Sequence, residues 1–578
     1  MKKSLLALVT GTAIASGGYF IAQQGANNNN FAHLDNVPAD TLFLWSQLNS
    51  FPYLQYLDVL PDTLKNVDDI NNFVAAMQGQ EVDSNTQFLL NILDKYANSL
   101  KSSKQFTSTW GVNSDFQALA YSIGLLPVLR AELGDPQVFK NTVINAAKEA
   151  NIQYEDTNIE GIPVTKFLIE QEGNKIFDLL VAIDGKWVTV TFDTPINDQN
   201  DLKIALGITA PTTPLSSTDK VQRYIQDHQL DGHALAYLDT RLLADMLTAK
   251  DPQSKSTQML DKILALTDSE NALDSVRNPN CQQDFSDIAN KWPAIITGTQ
   301  AYQFSNNYGD ITVSSVIAST DTKVLNALKN IRGFLPQHTQ SDSDAMLALG
   351  IGFNASQLSP SVNTIWAAFA SAQFNCEPLA QLQAQSKDAN PAPLAMATSM
   401  LGTLKGVSLT VFDANIADLV RVDNTDLSSV DMLLTVSADD MLALFNMAKS
   451  FAPDLAGLTL PADGSAIEVN QYLPPDYQST APLYLALKGQ HLTLYIGKTA
   501  QQTADALSTQ TVTANGMVNF AVNTDKIMPM LLQAAELSGE PITDDMAELL
   551  RESGKVHFSL DTTDKGIVAD ITIKVENQ

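Results

Sequence analysis

The chain has few of the residues that carry most protein chemistry. Its 578 residues include only two cysteines and six histidines. Two cysteines cannot hold a zinc ion by themselves, and no histidine lies at ligand spacing from either one. The histidines are isolated from one another, at His33, His228, His233, His338, His491 and His557. The sequence therefore predicts no metal site and identifies no histidine as a catalytic base.

Motifs that bind phosphate or carry a nucleophile are also missing. There is no GxSxG elbow, no P-loop and no GxGxxG after a strand pattern. Asp156–Gly161 and Asp561–Gly566 begin like calcium loops, but position twelve is Phe167 or Thr572 where a bidentate Glu is needed. Hairpin turns explain both stretches. We expect no catalytic, cofactor-binding or metal residue, although a nucleophile with distant partners stays open.

Positive charge is scarce and scattered along the chain. Lys and Arg number 35 against 64 Asp and Glu, which gives a formal net charge of -29. Nucleic acids and anionic lipid headgroups are bound by concentrated positive charge. This composition excludes nucleic acid as the main partner. We interpret the acidity as favouring solubility rather than binding of a cationic ligand.

The N-terminus predicts export. Lys2 and Lys3 precede Ser4–Ala22, a run of nineteen residues without charge. Cleavage after Ala15, within residues 1–22, would release a soluble periplasmic protein. Alternatively, residues 4–22 stay as an inner-membrane anchor, because about twenty apolar residues span a bilayer. Residues 23–36 then form a polar tether.

The two cysteines suggest one disulfide. In an oxidising compartment Cys281 and Cys376 would close a loop of 95 residues, a constraint that contributes roughly 4–5 kcal/mol in the chain-entropy account. The alternative is a pair of buried free thiols. A mass shift on reduction distinguishes the two.

Parts of the sequence recur at a fixed spacing. The stretch VPADTLFLWSQLNS, which begins at Val37, has an echo in SDSDAMLALGIGFNAS, and Asp40 aligns with Asp344 at an offset of 304. Two hairpin glycines, Gly185 and Gly489, have the same offset. Each is expected at the second position of a two-residue turn, where a positive φ is needed.

Further matches extend this repeat. Asp135 aligns with Asp439 at the offset of 304, whereas Gly232 aligns with Gly516 at an offset of 284. A shared order of elements at a near-constant offset predicts that the chain contains one domain twice. The alternative is chance, because α/β segments share one binary pattern.

Hairpins and helices with short polar N-terminal residues define the expected fold class. We predict an α+β fold of two similar tandem domains, each a largely antiparallel sheet with amphipathic helices packed on one face. The first domain covers 37–336, a polar junction covers 337–344, and the second domain, a duplicate of the first, covers 345–578. One helix, over Thr86–Leu100, has a hydrophobic stripe that we interpret as core packing.

The N-terminal layout resembles that of a known family. Lys2 and Lys3, the run ending in Gly18-Tyr19-Phe20, the polar tether and Val37-Pro38-Ala39-Asp40-Thr41 before an apolar strand are similar to bacterial envelope proteins with a domain of unknown function. In that family the exported region opens with a Pro-Ala-Asp-Thr-like turn. The resemblance implies a cell-envelope location and supplies no catalytic residue.

Export, a repeated scaffold and the absence of catalytic motifs favour a binding function. We expect a non-enzymatic envelope protein that binds a partner protein or an apolar ligand, for which a cleft between the domains is a natural place. The sequence leaves two alternatives open. One is an envelope hydrolase whose site is assembled from distant residues, and the other is a structural spacer.

Overall fold

The computed structural model describes most of the chain after its first thirty residues. The described ranges are 31–49, 52–59, 67–78, 82–114, 117–171, 174–251, 253–305, 308–386, 391, 398, 401–414, 429–451, 455–472, 481–530 and 554–576. The export segment and most of the tether therefore lie outside the described residues. Among the helices that are described, none has the length and apolar character needed to cross a bilayer.

The chain divides into two compact units. Unit 1 contains the described residues up to Thr320 together with Phe374–Gln381, and unit 2 contains Asp321–Gln373 and Leu382–Glu576. The boundary therefore precedes the junction expected at 337–344. The physical reason is that residues before this junction pack with unit 2: the Phe334 amide donates to the Lys405 carbonyl (2.8 Å), and Leu335 is buried.

Unit 1 is built on an antiparallel sheet. Its strands are β1 (Phe43–Gln47), β2 (Ala118–Ile123), β3 (Leu126–Glu132), β4 (Tyr154–Ile159), β5 (Ile162–Gln171), β6 (Asn174–Asp184), β7 (Trp187–Asp193), β8 (Ala234–Asp239), β9 (Ala294–Ser305) and β10 (Tyr308–Ala318). They pair in the order β4-β5-β6-β7-β3-β2-β1-β8-β9-β10.

The helices of unit 1 connect these strands. They are α1 (Tyr53–Val59), α2 (Val67–Gln78), α3 (Ser84–Ser99), α4 (Ser103–Trp110), α5 (Pro136–Glu149), α6 (Gln199–Ala205), α7 (Lys220–Asp227), α8 (Thr240–Thr248), α9 (Lys255–Leu266) and α10 (Pro279–Lys291). The helix predicted over Thr86–Leu100 is confirmed as α3. Its Phe88 is buried and stacks on Phe167 with ring centroids 5.8 Å apart.

Unit 2 also has an antiparallel sheet. Its strands are β11 (Leu347–Gly352), β12 (Leu404–Asp413), β13 (Asp431–Ala438), β14 (Ile467–Glu468), β15 (Tyr484–Lys488), β16 (His491–Ile496), β17 (Val518–Asn523), β18 (Lys555–Thr562) and β19 (Gly566–Glu576). They pair in the order β14-β15-β16-β13-β12-β11-β17-β18-β19. The α+β class and the antiparallel sheets predicted from the hairpin patterns are thus confirmed.

Helices pack on both sides of the sheet in unit 2. They are α11 (Thr322–Ile331), α12 (Ala355–Ala370), α13 (Glu377–Gln385, which begins in unit 1), α14 (Met441–Lys449) and α15 (Lys498–Leu507). α14 packs against a cluster that includes Leu494, and α15 packs against β13 and β16 on the other side, in a cluster that includes Leu433. The expectation of helices on one face only is therefore wrong for this unit, because both sides of its strands carry side chains that a helix buries.

The two sheets share a pairing order. β1 has β2 on one side and β8 on the other, just as β11 has β12 and β17. From these central strands outward, the strands of the two sheets follow in the same order. The registers also agree: Phe43 pairs with Leu238, and Leu347 pairs with Val522. These pairs differ by 304 in the first strand and by 284 in the second, the same offsets that the sequence repeat shows.

Two local details correct the sequence alignment. Asp135 and Asp440 accept hydrogen bonds from amides in the first turns of α5 and α14, whereas the sequence alignment places Asp439 opposite Asp135. In the hairpins, Asp184 pairs with Trp187, which places Gly185 (φ +60°) at the first loop position rather than the second. Glycine at that position is typical of a type II′ turn.

Candidate functional site

Large apolar side chains cover one side of half the sheet in unit 2. They form three rows across β12, β11, β17, β18 and β19: Val411, Leu347, Val522, Val556 and Ile573; Leu409, Leu349, Phe520, Phe558 and Ile571; Val407, Ile351, Val518, Leu560 and Ala569. We call these fifteen residues the apolar face. It contains no charged or polar side chain.

The apolar face is accessible to solvent. None of its residues is buried, and five are more than a third exposed. These are Leu349 (39%), Ile351 (45%), Leu409 (36%), Phe520 (39%) and Ile571 (40%). Single exposed apolar residues are ordinary, but a contiguous set across neighbouring strands is typical of an interaction surface.

The reverse side of β12, β11 and β17 is buried although its side chains are small or polar, whereas β18 is partly exposed on both sides. Alternate positions point to opposite sides of a strand, and the buried ones include Ala348, Ser408, Thr410, Asn519 and Ala521. An antiparallel sheet with one wet side normally shows the opposite pattern, apolar inside and polar outside. Unit 2 therefore reverses the usual relation between polarity and burial.

Close packing explains the small residues of the reverse side. A Cβ added to Gly350 would lie 3.0 Å from Leu335 Cδ2 and 3.1 Å from Thr339 Oγ1. Ala500 and Ala504 of α15 are fully buried on the same side. Large side chains do not fit there, so the large apolar residues of these strands lie on the open side.

The open side continues into a covered core. On β13 and β16 the same side carries Val436 and Leu492, which pack against the cluster containing Leu444 and Phe445 of α14. The apolar face begins on β12, next to this cluster. The apolar face therefore has the composition of a protein core. On β13 and β16 the same side of the sheet is covered by α14.

The size of the apolar face limits what it binds. Five strands about 4.8 Å apart and three rows about 6.8 Å apart give a surface of about 24 Å by about 20 Å. This is close to the largest apolar patch of a typical monomer, about 300–600 Å², which is often functional. It is smaller than the roughly 800 Å² that each partner contributes to a standard protein interface.

Of the three rows, the middle one has a less apolar counterpart in unit 1. The positions of Leu349, Phe520, Phe558 and Ile571 are taken there by Trp45, Ala236, Thr297 and Ser315. The hydroxyl groups of Thr297 and Ser315 lie 3.1 Å apart. Unit 1 thus shows that this sheet accommodates polar side chains at these positions.

A cavity opens at the strand ends beside the apolar face. Its volume is about 370 Å³, and its lining comprises Phe412, Asp413, Ala414, Asp525, Lys526, Pro529 and Met530. These residues follow Val411 and Val522 of the first row within a few positions. The Asp344 carboxylate lies 2.9 Å from the Lys526 ammonium and 3.2 Å from the Lys555 ammonium, so the two lysines share it.

A second cavity on the reverse side is too small for an organic ligand. Its volume of about 10 Å³ is room for one water molecule. Asn523, His557, Lys555 and Lys574 are among its lining residues. Burial lowers the pKa of His557, and the nearby Lys574 charge lowers it further. We interpret this cluster as part of the packing.

The cluster in unit 1 that most resembles an active site surrounds Lys220. Its ammonium lies 2.8 Å from Asp239 and 4.3 Å from the ring centroid of Tyr237. Burial lowers the pKa of Lys220 and raises that of Tyr237. Asp239, however, also accepts from the Arg241 and Leu242 amides at the start of α8. The ion pair therefore fixes a helix end, and the amine is not free to act as a nucleophile.

A second titratable group in unit 1 joins Asp231 and His233. The Asp231 carboxylate accepts from the Thr299 hydroxyl (2.6 Å) and the His233 amide (2.9 Å). Burial raises the pKa of Asp231 and lowers that of His233. The histidine ring packs edge-on against Tyr302, with centroids 5.9 Å apart. The His233 ring is therefore packed within unit 1, as expected for a histidine at a strand.

His491 is a packed residue as well. Its side chain is buried, with Nδ1 2.8 Å from the Ser437 hydroxyl and Nε2 3.0 Å from the Gln510 carbonyl. The carbonyl accepts only, so Nε2 carries the proton and Nδ1 accepts from Ser437. Burial lowers its pKa. Both ring nitrogens are used within unit 2.

The predicted cysteine pair is close in space. Cys281 and Cys376 are bonded, with Cα atoms 4.3 Å apart, and both belong to unit 1. Cys376 lies in the short stretch Phe374–Gln381 that returns to unit 1 from the second half of the sequence. The buried Asp284 carboxylate accepts from the amides of Asn375 and Cys376. This site is structural.

The part of the chain that the structure describes contains no group of three His, Cys, Asp or Glu residues able to hold a metal ion. Asp156, considered above as a calcium ligand, is bound instead to Lys140 (2.7 Å) and Thr165 (2.6 Å). No protein-family model, curated protein or solved structure matches this chain.

The sequence pattern does not predict the apolar face, because alternating strands ordinarily bury their apolar side chains. In LALGIG, VSLTVF and VNFAVN, large apolar residues alternate with small or polar ones, and such alternation predicts apolar residues inside. The available signal was the small size of the intervening residues. Strands with Gly, Ala and Ser on one side permit close packing there, which leaves the large side chains for the other side.

Proposed function

We propose that this chain is a non-enzymatic binding protein of the cell envelope and that the apolar face is its contact surface for a partner. The observation that carries the proposal is the reversed burial in unit 2, where fifteen apolar residues stay accessible while small polar residues are buried. Water in contact with such a surface is unfavourable, so a partner that covers it gains free energy.

The envelope location rests on the N-terminal sequence. Lys2 and Lys3 before the uncharged run Ser4–Ala22 have the form of an export signal, and a bonded cysteine pair suits an oxidising compartment. In this proposal the protein is periplasmic, either soluble after cleavage or tethered by residues 4–22. Fractionation of cells that produce the full chain tests it, since recovery in the cytoplasm would contradict export.

We also propose that the two units descend from one duplicated domain. Three features support this: the common pairing order of the sheets, the agreement of strand registers at offsets of 304 and 284, and the matching helix caps Asp135 and Asp440. In this view unit 1 kept a more polar surface, and unit 2 acquired the apolar face. In this proposal unit 2, and not unit 1, binds the partner.

The hydrolase alternative has weaker support. In the titratable cluster around Lys220, the Asp239 carboxylate caps a helix and the Lys220 amine is paired with that carboxylate. A catalytic base or nucleophile requires a group that reaches a substrate. The binding function is therefore favoured.

Binding of a fluorescent hydrophobic dye such as bis-ANS tests the proposal. The double variant Phe558→Thr/Ile571→Ser introduces the residues that unit 1 carries at these positions. We expect several-fold weaker dye binding than by the unchanged protein. The matched control is Ile295→Thr/Ile317→Ser, which alters two unit 1 residues of 44% and 45% exposure. Equal loss of dye binding in both variants would contradict the assignment to unit 2.

A further inference from the structure

We infer that the guanidinium group of Arg130 in unit 1 is a binding site for a small monovalent carboxylate. The inference concerns unit 1 alone and is independent of the apolar face, which belongs to unit 2. It follows from three observations: this buried cation has no counter-charge, one end of its guanidinium is uncovered, and the corresponding position in unit 2 is uncharged.

Arg130 of β3 is a buried cation without a partner. It is 7% exposed, and its Nε and Nη1 atoms are buried without a hydrogen-bond acceptor. No Asp or Glu forms an ion pair with it in the part of the chain that the structure describes. An arginine does not lose its proton in a protein. Buried charges are ordinarily paired, and a bound ion is one explanation of an unsatisfied buried group.

The neighbours of Arg130 do not supply the missing negative charge. The Trp187 ring contacts the guanidinium, with its centroid 5.5 Å from Cζ, but an aromatic ring has no net charge. The Tyr121 hydroxyl lies beside the guanidinium, outside hydrogen-bond geometry. Burial raises the pKa of Tyr121 to about 12, although the Arg130 charge opposes this. The phenol is therefore neutral, and the charge of Arg130 stays unbalanced.

One end of the guanidinium is left uncovered by Gly207, which follows α6. A Cβ added to Gly207 would lie 3.3 Å from both Nη1 and Nη2, and 3.5 Å from Asn36 Oδ1. The φ of +74° at Gly207 favours glycine by itself, and the missing Cβ also leaves room in front of the two nitrogens. Two N–H groups of one guanidinium match the two oxygens of a carboxylate. The Asn36 amide is able to donate a further hydrogen bond.

Unit 2 carries no charge at the corresponding position. Arg130 of β3 pairs with Thr189 of β7, and Thr435 of β13 pairs with Thr493 of β16 at the same place in the shared strand order. Thr435 is buried, as Arg130 is. The sheet therefore accommodates a small uncharged side chain at this position. A cation is not needed there for the sheet to pack.

The charge and size of the ligand are limited by the surroundings. The chain has a formal charge of -29, which repels anions more strongly the more charge they carry. Arg130 supplies one positive charge, so a carboxylate balances it, whereas sulfate would add a second, unbalanced negative charge. Only 7% of Arg130 is exposed. A small carboxylate, or the carboxylate end of a larger molecule, is therefore what reaches the guanidinium.

The test uses ¹³C-labelled acetate as the probe. Its binding to the full chain is measured from the broadening of the carboxylate signal in NMR spectra, at an ionic strength kept constant with sodium chloride. We expect unlabelled acetate to displace the probe at a concentration at least tenfold lower than sulfate does. Absence of broadening, or displacement by sulfate at the lower concentration, would overturn the inference.

Variants separate this site from general attraction to surface cations. Arg130→Thr introduces the residue of unit 2, and Arg130→Gln is a second neutral variant of closer volume. We expect both to weaken acetate binding at least tenfold. The matched control Arg223→Thr removes the same charge from a side chain that is 63% exposed, and it should leave binding within twofold. Unchanged binding in the Arg130 variants, or an equal loss in the control, would contradict the assignment to Arg130.

A purely structural role of Arg130 gives a different result in urea denaturation. A ligand that binds only the folded state stabilises it, so we expect acetate to raise the midpoint of the unchanged protein relative to chloride at equal ionic strength. It should not raise the midpoint of Arg130→Gln. The same midpoint in acetate and chloride for the unchanged protein would assign Arg130 to packing and overturn the inference.

Discussion

At the scale of single residues, the helix caps give a sharp test of how the two units correspond. Asp440 accepts from the Ala443 amide at 2.9 Å, whereas Asp439 makes a half-exposed ion pair with Lys405. We expect Asp440→Ala and Asp135→Ala each to reduce the free energy of unfolding by about 1 kcal/mol. Asp439→Ala should cost less than about 0.5 kcal/mol. Urea denaturation of the three variants measures the difference, and a larger loss for Asp439→Ala than for Asp440→Ala would contradict the assignment of the cap to Asp440.

His338 makes the stability of unit 2 sensitive to acid. Both of its ring nitrogens are buried without a hydrogen-bond partner, and burial, aided by the nearby His491, lowers its pKa to about 4. The neutral ring is favoured in the folded state, so stability is complete above the unfolded pKa of about 6.5 and falls as the pH drops toward 4.

The variant His338→Leu should remove this pH dependence. Between pH 7.5 and pH 5 we expect the unchanged protein to lose roughly 1–2 kcal/mol more unfolding free energy than the variant. Chemical denaturation at the two pH values measures this. The same loss in both proteins would show that other groups, such as His33, whose pKa burial also lowers to about 4, account for the acid sensitivity.

At the scale of elements, the two sides of the sheet in unit 2 should respond differently to the same substitution. Leu349 is 39% exposed on the apolar face, whereas Leu433 on the reverse side is fully buried. Leu349→Thr should therefore cost at most about 1 kcal/mol of unfolding free energy, and Leu433→Thr about 2–4 kcal/mol. Thermal denaturation distinguishes them. Comparable losses would mean that the apolar face is part of a closed core.

Elements were predictable where local chemistry decides them. The helix over Thr86–Leu100 has an Asp83 cap and an apolar stripe, and the hairpin at Gly185 needs a positive φ, so both could be found from the sequence. The side of each strand that becomes buried could not. It depends on what packs against the strand, and Gln337–Thr339 contacts β11 and β12 from elsewhere in the chain. Alternation alone does not indicate which side is covered.

At the scale of the whole molecule, the disulfide ties a segment from the second half of the sequence into unit 1. Cys281 and Cys376 are separated by 95 residues, and closing so long a loop restricts the unfolded chain. We expect Cys281→Ser/Cys376→Ser to lose about 2–5 kcal/mol of stability. Alkylation before and after reduction, followed by mass spectrometry, should label no thiol at first and two afterwards. Two labelled thiols in the unreduced, denatured protein would show that the pair is not bonded.

The division into units was predictable in part from the sequence. The near-constant offset between repeated segments predicts two similar parts, and the polar stretch 337–344 predicts a boundary there. Polarity did not decide the boundary, since Thr339 is buried within unit 2. In the sequence, only Cys376 indicates that Phe374–Gln381 packs within unit 1. Such a return depends on contacts between distant segments, which periodicity does not report.

The most direct test of a binding function is photo-crosslinking in living cells. A benzoyl-phenylalanine placed at Phe520 lies on the apolar face, and one placed at Ile317 replaces a side chain of strand β10 in unit 1 that is 45% exposed. We predict a discrete crosslinked product from position 520 that is absent from position 317. Mass spectrometry of that product should identify the partner protein. The same products from both positions, or no product from position 520, would contradict the account.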